Sequence, residues 1–266
     1  MLRDITIGQY YQTESVIHKL DPRVKIGGTL LYIISLFLFE SAWGYILAAL
    51  FLAMVIKLSN VPFKFMIRGM KSILLLLMIT VIFNLFLTPG EILVSFWKLK
   101  ITKEGLKMAI SMALRLSFLI IGSSVMTLTT TPNNLTDGME KMLAPLKIFK
   151  VPVHEVAMMM SIALRFIPIL MEETDKIMKA QIARGADFET GGLIKKAKAL
   201  VPLLVPLFIS AFRRANDLAM AMEARCYGGN IKRTRMNGMK LCSRDLAASL
   251  LLAAFLAAII LQRIFL

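Results

Sequence analysis

Two short elements of the sequence carry a residue type well suited to binding a partner protein. They lie forty-one residues apart and have similar composition: Ala183, Arg184 and Gly185, then Ala224, Arg225 and Cys226. The rigid guanidinium fork of arginine pairs bidentately with a carboxylate. A single arginine near a helix C-terminus more often only complements the helix dipole. Because the element occurs twice, we expect Arg184 and Arg225 to bind two similar sites.

Each element ends a long amphipathic pattern, which predicts helices over residues 153–185 and 202–227. The first pattern has one apolar arc. The arc supplies four candidate residues for contact with a membrane partner: Met160, Ile167, Met171 and Met178. Methionine adapts to surfaces of different shape, although ordinary packing explains the arc equally well. Pro168 lies inside the pattern and predicts a kink.

Glycines follow both arginines closely. Gly185 comes directly after Arg184, and Gly228 and Gly229 come shortly after Arg225. These positions predict left-handed C-terminal caps, because glycine adopts positive φ without a steric penalty. A shorter helix is predicted upstream, over residues 134–143.

The composition places these helices in a membrane protein. Of the 266 residues, 57% are hydrophobic, which is more than an ordinary soluble domain carries. Five apolar stretches approach the length of a membrane span and predict an all-α bundle: residues 24–39, 43–58, 73–87, 105–129 and 246–266. We therefore expect a four-span membrane domain (1–130), a cytoplasmic domain of long amphipathic helices (131–245) and a C-terminal transmembrane helix (246–266).

The net charge of +15 does not indicate nucleic acid, because its placement follows the membrane topology. Residues 131–245 hold 18 of the 32 basic and 11 of the 17 acidic residues. The loop between the second and third spans carries four basic residues and no acid: Lys57, Lys64, Arg68 and Lys71. By the positive-inside rule, we expect the N-terminus in the cytoplasm and the protein in the cell membrane.

Two polar residues fall inside predicted spans. Arg115 lies about ten residues into the fourth span, where a charge needs a partner, water or headgroups. A functional role and a side chain that extends to the membrane surface are equally good interpretations. Asn84 in the third span leaves the same alternatives open.

The sequence lacks the motifs of an enzyme. There is no Gly-x-x-x-x-Gly-Lys-Ser/Thr phosphate-binding loop, so the chain cannot hold ATP by that route. The two histidines, His18 and His154, are far apart, and His154 with Glu155 lacks the second histidine of a zinc protease motif. We expect no catalytic residue, no metal site and no directly bound cofactor.

The two arginine elements resemble the X-Arg-X motifs of the T components of energy-coupling factor transporters. Three further stretches are similar to signatures of that family: His18 to Lys25, Thr130 to Leu135, and Ala163 to Pro168. Cys226 stands where glycine is commoner, and the family tolerates small residues there. The resemblance covers nearly the whole chain.

The resemblance implies a coupling subunit of an ATP-driven importer. Its two arginine motifs would insert into grooves on two ABC-type ATPase subunits, which bind the ATP and Mg. A small membrane protein, the S component, would capture a vitamin or a transition metal. The alternatives from the residues alone are a secondary transporter, which needs polar groups at the membrane midplane, and a membrane enzyme, which needs a cluster of His, Asp or Glu.

Overall fold

The protein is almost entirely helical. The computed structural model describes residues 10–39, 41–96, 99–188, 192–228, 238–239 and 241–265. The helices run in the following order: α1 (Pro22–Ser35), α2 (Ala42–Ser59), α3 (Phe63–Leu87), α4 (Lys103–Thr129), α5 (Pro132–Met142), α6 (Val153–Ala183), α7 (Leu193–Ala224) and α8 (Ser243–Phe265). A 3₁₀ helix (Ala144–Phe149) follows α5. The predicted all-α membrane fold is confirmed.

A small hairpin joins α3 to α4. Strands β1 (Ile92–Phe96) and β2 (Leu99–Thr102) pair antiparallel, with Phe96 opposite Leu99. The Thr102 hydroxyl then accepts a hydrogen bond from the N–H of Gly105 and so caps α4. The hairpin brings α3 and α4 together as antiparallel neighbours, and a Cβ on Gly105 would meet the Asn84 carbonyl of α3 at 3.0 Å.

The N-terminus of α1 is a junction of three helices. Asp21 caps α1 by accepting a hydrogen bond from the N–H of Arg23, and Pro22 occupies the first helical position. The Lys25 ammonium donates to the carbonyl of Thr129, at the end of α4, over 2.8 Å. Asp245 of α8 accepts a hydrogen bond from the backbone N–H of Asp21 over 2.7 Å. Lys25 is therefore buried in this junction.

An aromatic cluster forms the centre of the core between α1, α2 and α8. Phe51 stacks on Phe255 with ring centroids 4.3 Å apart, and both rings lie near Tyr32. Gly122 of α4 allows the close approach of Tyr32, since an added Cβ would lie 2.5 Å from that ring. Apolar burial and ring stacking therefore hold the four helices together.

The chain divides into two compact units. One contains Gly8–Val153 and Met239–Leu266, and the other contains the described residues of His154–Gly238, which form α6 and α7. The second unit is shorter than the predicted domain over 131–245. The difference arises because α5 packs on α1, where a Cβ on Gly138 would lie 2.9 Å from Pro22.

Five helices in the described part of the chain are long and apolar enough to cross a membrane, but they are not the five predicted stretches. Three agree with the prediction: α2, α4 and α8. The other two are α6 and the part of α7 from Lys198 to Ala224. The helix in the first predicted stretch, Pro22–Ser35, has only 14 residues. The helix in the third, α3, has 25 residues and contains the apolar stretch Ile73–Leu87. The number of candidate spans therefore equals the predicted number.

Candidate functional site

The C-terminus of α6 forms a Schellman motif with Arg184 as its capping residue. Gly185 follows in the left-handed conformation, with φ of +89°. Its N–H donates to the carbonyl of Ile182 over 2.9 Å, and the N–H of Ala186 donates to the carbonyl of Gln181 over 3.0 Å. These are the two bonds that define the motif. The predicted glycine cap at Gly185 is confirmed.

The C-terminus of α7 forms the same motif around Arg225. The N–H of Cys226 donates to the carbonyl of Glu223 over 2.8 Å, and the N–H of Tyr227 donates to Met222 over 3.0 Å. Cys226 itself holds the left-handed conformation, with φ of +56°. The sequence-based assignment of this cap to Gly228 and Gly229 was therefore wrong for Gly228, and Gly229 lies outside the described residues.

All six predicted motif residues are exposed to solvent: Ala183, Arg184, Gly185, Ala224, Arg225 and Cys226. The sharp reversal of the backbone after each arginine leaves its guanidinium at the end of a helix, with small residues on both sides. This geometry lets a groove on a partner approach the guanidinium closely. It also suits the simpler role of complementing the helix dipole.

An ion pair joins α6 to α7. The Arg214 guanidinium donates to Glu173 over 2.8 Å, and the Ser210 hydroxyl donates to the other oxygen of the same carboxylate. The side chains are partly exposed, 40% for Arg214 and 23% for Glu173, so we expect a contribution of about 1 kcal/mol. Because both carboxylate oxygens are used, the contact fixes the angle of the side chain as well as its distance.

The ion pair joins equivalent positions of the internal repeat. Glu173 and Arg214 lie forty-one residues apart, the same spacing that separates Arg184 from Arg225. Each capping arginine is thus eleven residues beyond the ion pair on its own helix, which is about 16 Å at 1.5 Å per residue. This relation was not predicted from the sequence. An acid and a base at the same repeat position were the signal that could have shown it.

A second contact reaches α7 near the end of α6. The Gln181 side-chain amide donates to the carbonyl of Pro202 over 3.4 Å. In a regular helix this carbonyl would accept from residue 206, but Pro206 has no N–H. Gln181 therefore supplies the hydrogen bond that Pro206 cannot. The helix begins at Leu193, nine residues before the predicted start at Pro202, because it tolerates both prolines.

The four candidate partner-binding residues of α6 remain accessible in the unit described. Met160 is exposed, and Ile167, Met171 and Met178 are half-buried. The helix continues through Pro168, so the proline does not end it. The apolar arc is present as predicted, and its function stays a prediction.

Arg115 supports a turn in the membrane bundle. Its guanidinium donates to the carbonyl of Phe39 over 3.1 Å and lies 5.4 Å from the centroid of the Phe37 ring. Both residues follow the short helix α1, where carbonyl groups lack helical partners. Arg115 therefore reaches this turn because α1 ends early, which the sequence pattern did not show.

Asn84 bonds within its own helix. Its side-chain amide donates to the carbonyl of Thr80 over 2.8 Å, and its backbone carbonyl accepts from the Thr88 hydroxyl. These contacts satisfy a polar side chain in an apolar helix. Within the described ranges, no group of three or more His, Cys, Asp or Glu residues could hold a metal ion.

A helical bundle with several apolar helices of membrane-spanning length defines a multi-pass membrane protein. The family described as CbiQ, cobalt transport protein, matches residues 13–236. The chain belongs to this family.

Similar proteins carry the name energy-coupling factor transporter transmembrane protein EcfT. The relative from Clostridium kluyveri is 58% identical over 266 residues, covering 99% of this chain and 98% of its own. Those from Ruminiclostridium cellulolyticum and Bacillus subtilis are 52% and 45% identical, each over 98% of its own length and over 98% and 96% of this chain. The predicted family is confirmed, and the chain is a transmembrane component of an energy-coupling factor transporter.

Proposed function

We propose that α6 and α7 are coupling helices that transmit ATP-driven motion to a substrate-capturing membrane protein. Arg184 and Arg225 would each enter a carboxylate-lined groove on one of two ABC-type ATPase subunits, which hold the ATP and Mg. The observation that carries this proposal is the identical Schellman geometry of the two helix ends, each with an exposed arginine as the capping residue.

The ion pair between Glu173 and Arg214 supports the same mechanism. It lies eleven residues from each capping arginine, so the two subunits of an ATPase dimer would bind helix segments of equal length, residues 173–184 and 214–225. Closure of the dimer would then move both helices about the contact between Glu173 and Arg214, as rigid elements move in domain closure. The captured protein would contact the apolar arc that contains Met160, Ile167, Met171 and Met178. Its substrate would be a vitamin or a transition metal.

We further propose that α6 and α7 lie at the cytoplasmic face, with the N-terminus inside the cell. Both helices pass the length and composition test for a span. However, both helices carry charged residues within or directly beside their apolar stretches: Arg165, Glu172, Glu173, Asp175, Lys176, Arg213, Arg214 and Asp217. Such charges are costly in the hydrocarbon unless they are paired or hydrated.

Cys226 provides a direct test of this orientation, because its thiol is exposed at the end of α7. With Cys242 replaced by serine, a membrane-impermeant maleimide should label inverted vesicles and not intact spheroplasts. Labelling of intact spheroplasts would contradict the cytoplasmic placement.

Co-purification tests the coupling function. From a host that expresses the whole operon, the wild-type chain should bring two P-loop ATPase subunits with it. Charge reversal at either end, Arg184→Glu or Arg225→Glu, should reduce this recovery or uncouple ATP hydrolysis from uptake, because the reversed charge repels the groove. Matched controls are Lys179→Glu on α6 and Arg213→Glu on α7, which reverse exposed charges away from the helix ends. Unchanged uptake in the double variant would overturn the assignment.

The alternative of a secondary transporter receives no specific support. It predicts that the chain alone, in proteoliposomes, moves solute down an ion gradient without ATPase subunits. Transport under those conditions would favour that alternative and contradict the coupling role.

A further inference from the structure

The membrane unit contains an elongated cavity that the coupling function does not use. Its volume is about 500 Å³, within the range of roughly 300–1,000 Å³ typical of small-molecule sites. Helices α1, α2, α4 and α8 form its walls. Small residues on three of these helices make the space: Gly27 and Gly28, Gly122, and Ala247 and Ala248.

The length of the cavity matches one leaflet of a bilayer. Its lining extends from Val24 to Tyr32 on α1 and from Arg244 to Leu252 on α8. Eight residues of helix rise about 12 Å. The hydrocarbon of one leaflet is roughly 15 Å deep, half of a bilayer core. An acyl chain that lies along these helices would therefore fill the cavity over most of its depth.

The charged residues of the lining are both basic and lie at the same end. Among the described residues that line the cavity, these are Lys25 and Arg244, each in the first turn of its helix. Two donors of the Lys25 ammonium are used by the carbonyls of His18 and Thr129, which leaves the third.

The surroundings of this end favour one added negative charge. The carboxylates of Asp21 and Asp245 lie beside Lys25, and the Arg23 guanidinium lies 3.7 Å from Asp21. With the exposed Arg244, three positive charges stand against two negative ones, which leaves a net charge of +1 at this end. The N-termini of α1 and α8 also favour an anion at this end.

We propose that this cavity binds an anionic phospholipid, with one acyl chain along α1 and α8 and the phosphate at Arg244. The apolar walls select the chain, and the basic end selects the headgroup. A bound lipid would fill the space between the first and last helices of the membrane unit.

Native mass spectrometry of the full-length protein, purified in detergent with its accompanying subunits, tests the headgroup. Phosphatidylglycerol and phosphatidylcholine with identical acyl chains are the probes. The wild type should retain phosphatidylglycerol about fivefold better, the effect of one basic side chain at a lipid surface. Arg244→Gln should abolish this preference. Arg263→Gln, at the other end of α8, should keep it. Equal retention of both lipids by the wild type, or an equal loss in the two variants, would overturn the proposal.

Two filling variants test the acyl chain. Gly28→Leu and Ala248→Phe place bulk inside the cavity, and both should reduce retention of either lipid at least fivefold. A Cβ at Gly28 would meet only the flexible end of Leu252, at 3.4 Å. Leu250→Phe is the control: it adds bulk on α8 at an exposed residue outside the cavity, and it should leave retention unchanged. Full retention in both filling variants, or a partner's helix in the cavity of an assembled complex, would contradict lipid binding.

Discussion

The ends of α6 and α7 share one backbone geometry and differ in the residue that adopts it. Both helices close with the same pair of Schellman hydrogen bonds after a capping arginine. Gly185 holds the left-handed position in α6, and Cys226 holds it in α7. A residue with a Cβ is strained at positive φ by about 1 kcal/mol or more.

The presence of Cys226 where α6 has glycine indicates that the backbone geometry at the end of α7 is maintained despite this strain. Two bonds at the end of α7 overcome the preference of cysteine for negative φ. The feature common to both ends is thus the direction of the chain after the arginine, and the identity of the following residue is secondary.

Charge reversal should have the largest effect and tests whether the two ends are functionally equivalent. Arg184→Glu and Arg225→Glu should each reduce uptake more than tenfold, because a negative side chain placed against the carboxylates of the groove costs several kcal/mol. Uptake of a labelled substrate by whole cells measures this. If only one reversal reduced uptake, the shared geometry would not reflect a shared function.

Substitution of Gly185 and Cys226 tests how much the left-handed conformation costs at each helix end. Gly185→Ala should destabilise the end of α6 by about 1 kcal/mol, although no atom lies within 4 Å of the added Cβ. Cys226→Gly should stabilise the end of α7 by up to about 1 kcal/mol, because it relieves strain, less the entropy that glycine adds to the unfolded chain. Hydrogen exchange at the two helix ends would report these changes. Equal exchange in wild type and both variants would show that φ strain is unimportant here.

The ion pair between α6 and α7 should give a measurable coupling energy. A double-mutant cycle with Glu173→Ala and Arg214→Ala should show about 1 kcal/mol of coupling in the unfolding free energy. Glu172→Ala is the matched control, because Glu172 is the adjacent exposed acid on α6. Additive single variants would remove the ion pair from the mechanism.

The smallest effect is expected at Gln181 of α6, since the equivalent repeat position of α7 is Met222, which has no amide to donate. Gln181→Met keeps the length of the side chain and removes the bond to Pro202, so α6 should lose about 0.5 kcal/mol near its end. Glu223→Met makes a similar change in the last turn of α7 and removes no described bond between the helices, so it serves as the comparison. Faster hydrogen exchange after Gln181→Met alone would confirm the asymmetry.

The sequence predicted the glycine cap of α6 correctly, and it did not predict the start of α7 or the contacts between helices. Local signals, such as Asp21 before Pro22 or glycine after Arg184, act within a few residues and are visible in one dimension. The start of α7 was missed because Pro202 resembles a helix start, while the contact that helps the helix continue comes from Gln181 on another helix. Long-range contacts of this kind leave no local pattern.

Hydrophobic length alone could not assign the membrane spans. The helix α1 has 14 residues, whereas α6 has 31 and is long and apolar enough to cross a membrane. The decisive information is where the charged residues lie along each helix. Arg115 shows the same limit, since its contact with Phe39 depends on where α1 ends.

The hydrogen bond from the Asp21 N–H to Asp245 links the beginning of the protein to its last helix. A ribosome completes residue 245 only after all the preceding helices have been made. During synthesis, the buried amide of Asp21 must therefore rely on water or on a temporary partner. The membrane unit can reach its final arrangement only when α8 arrives, so a chain truncated before α8 would leave this amide unsatisfied and become a substrate for quality-control proteases.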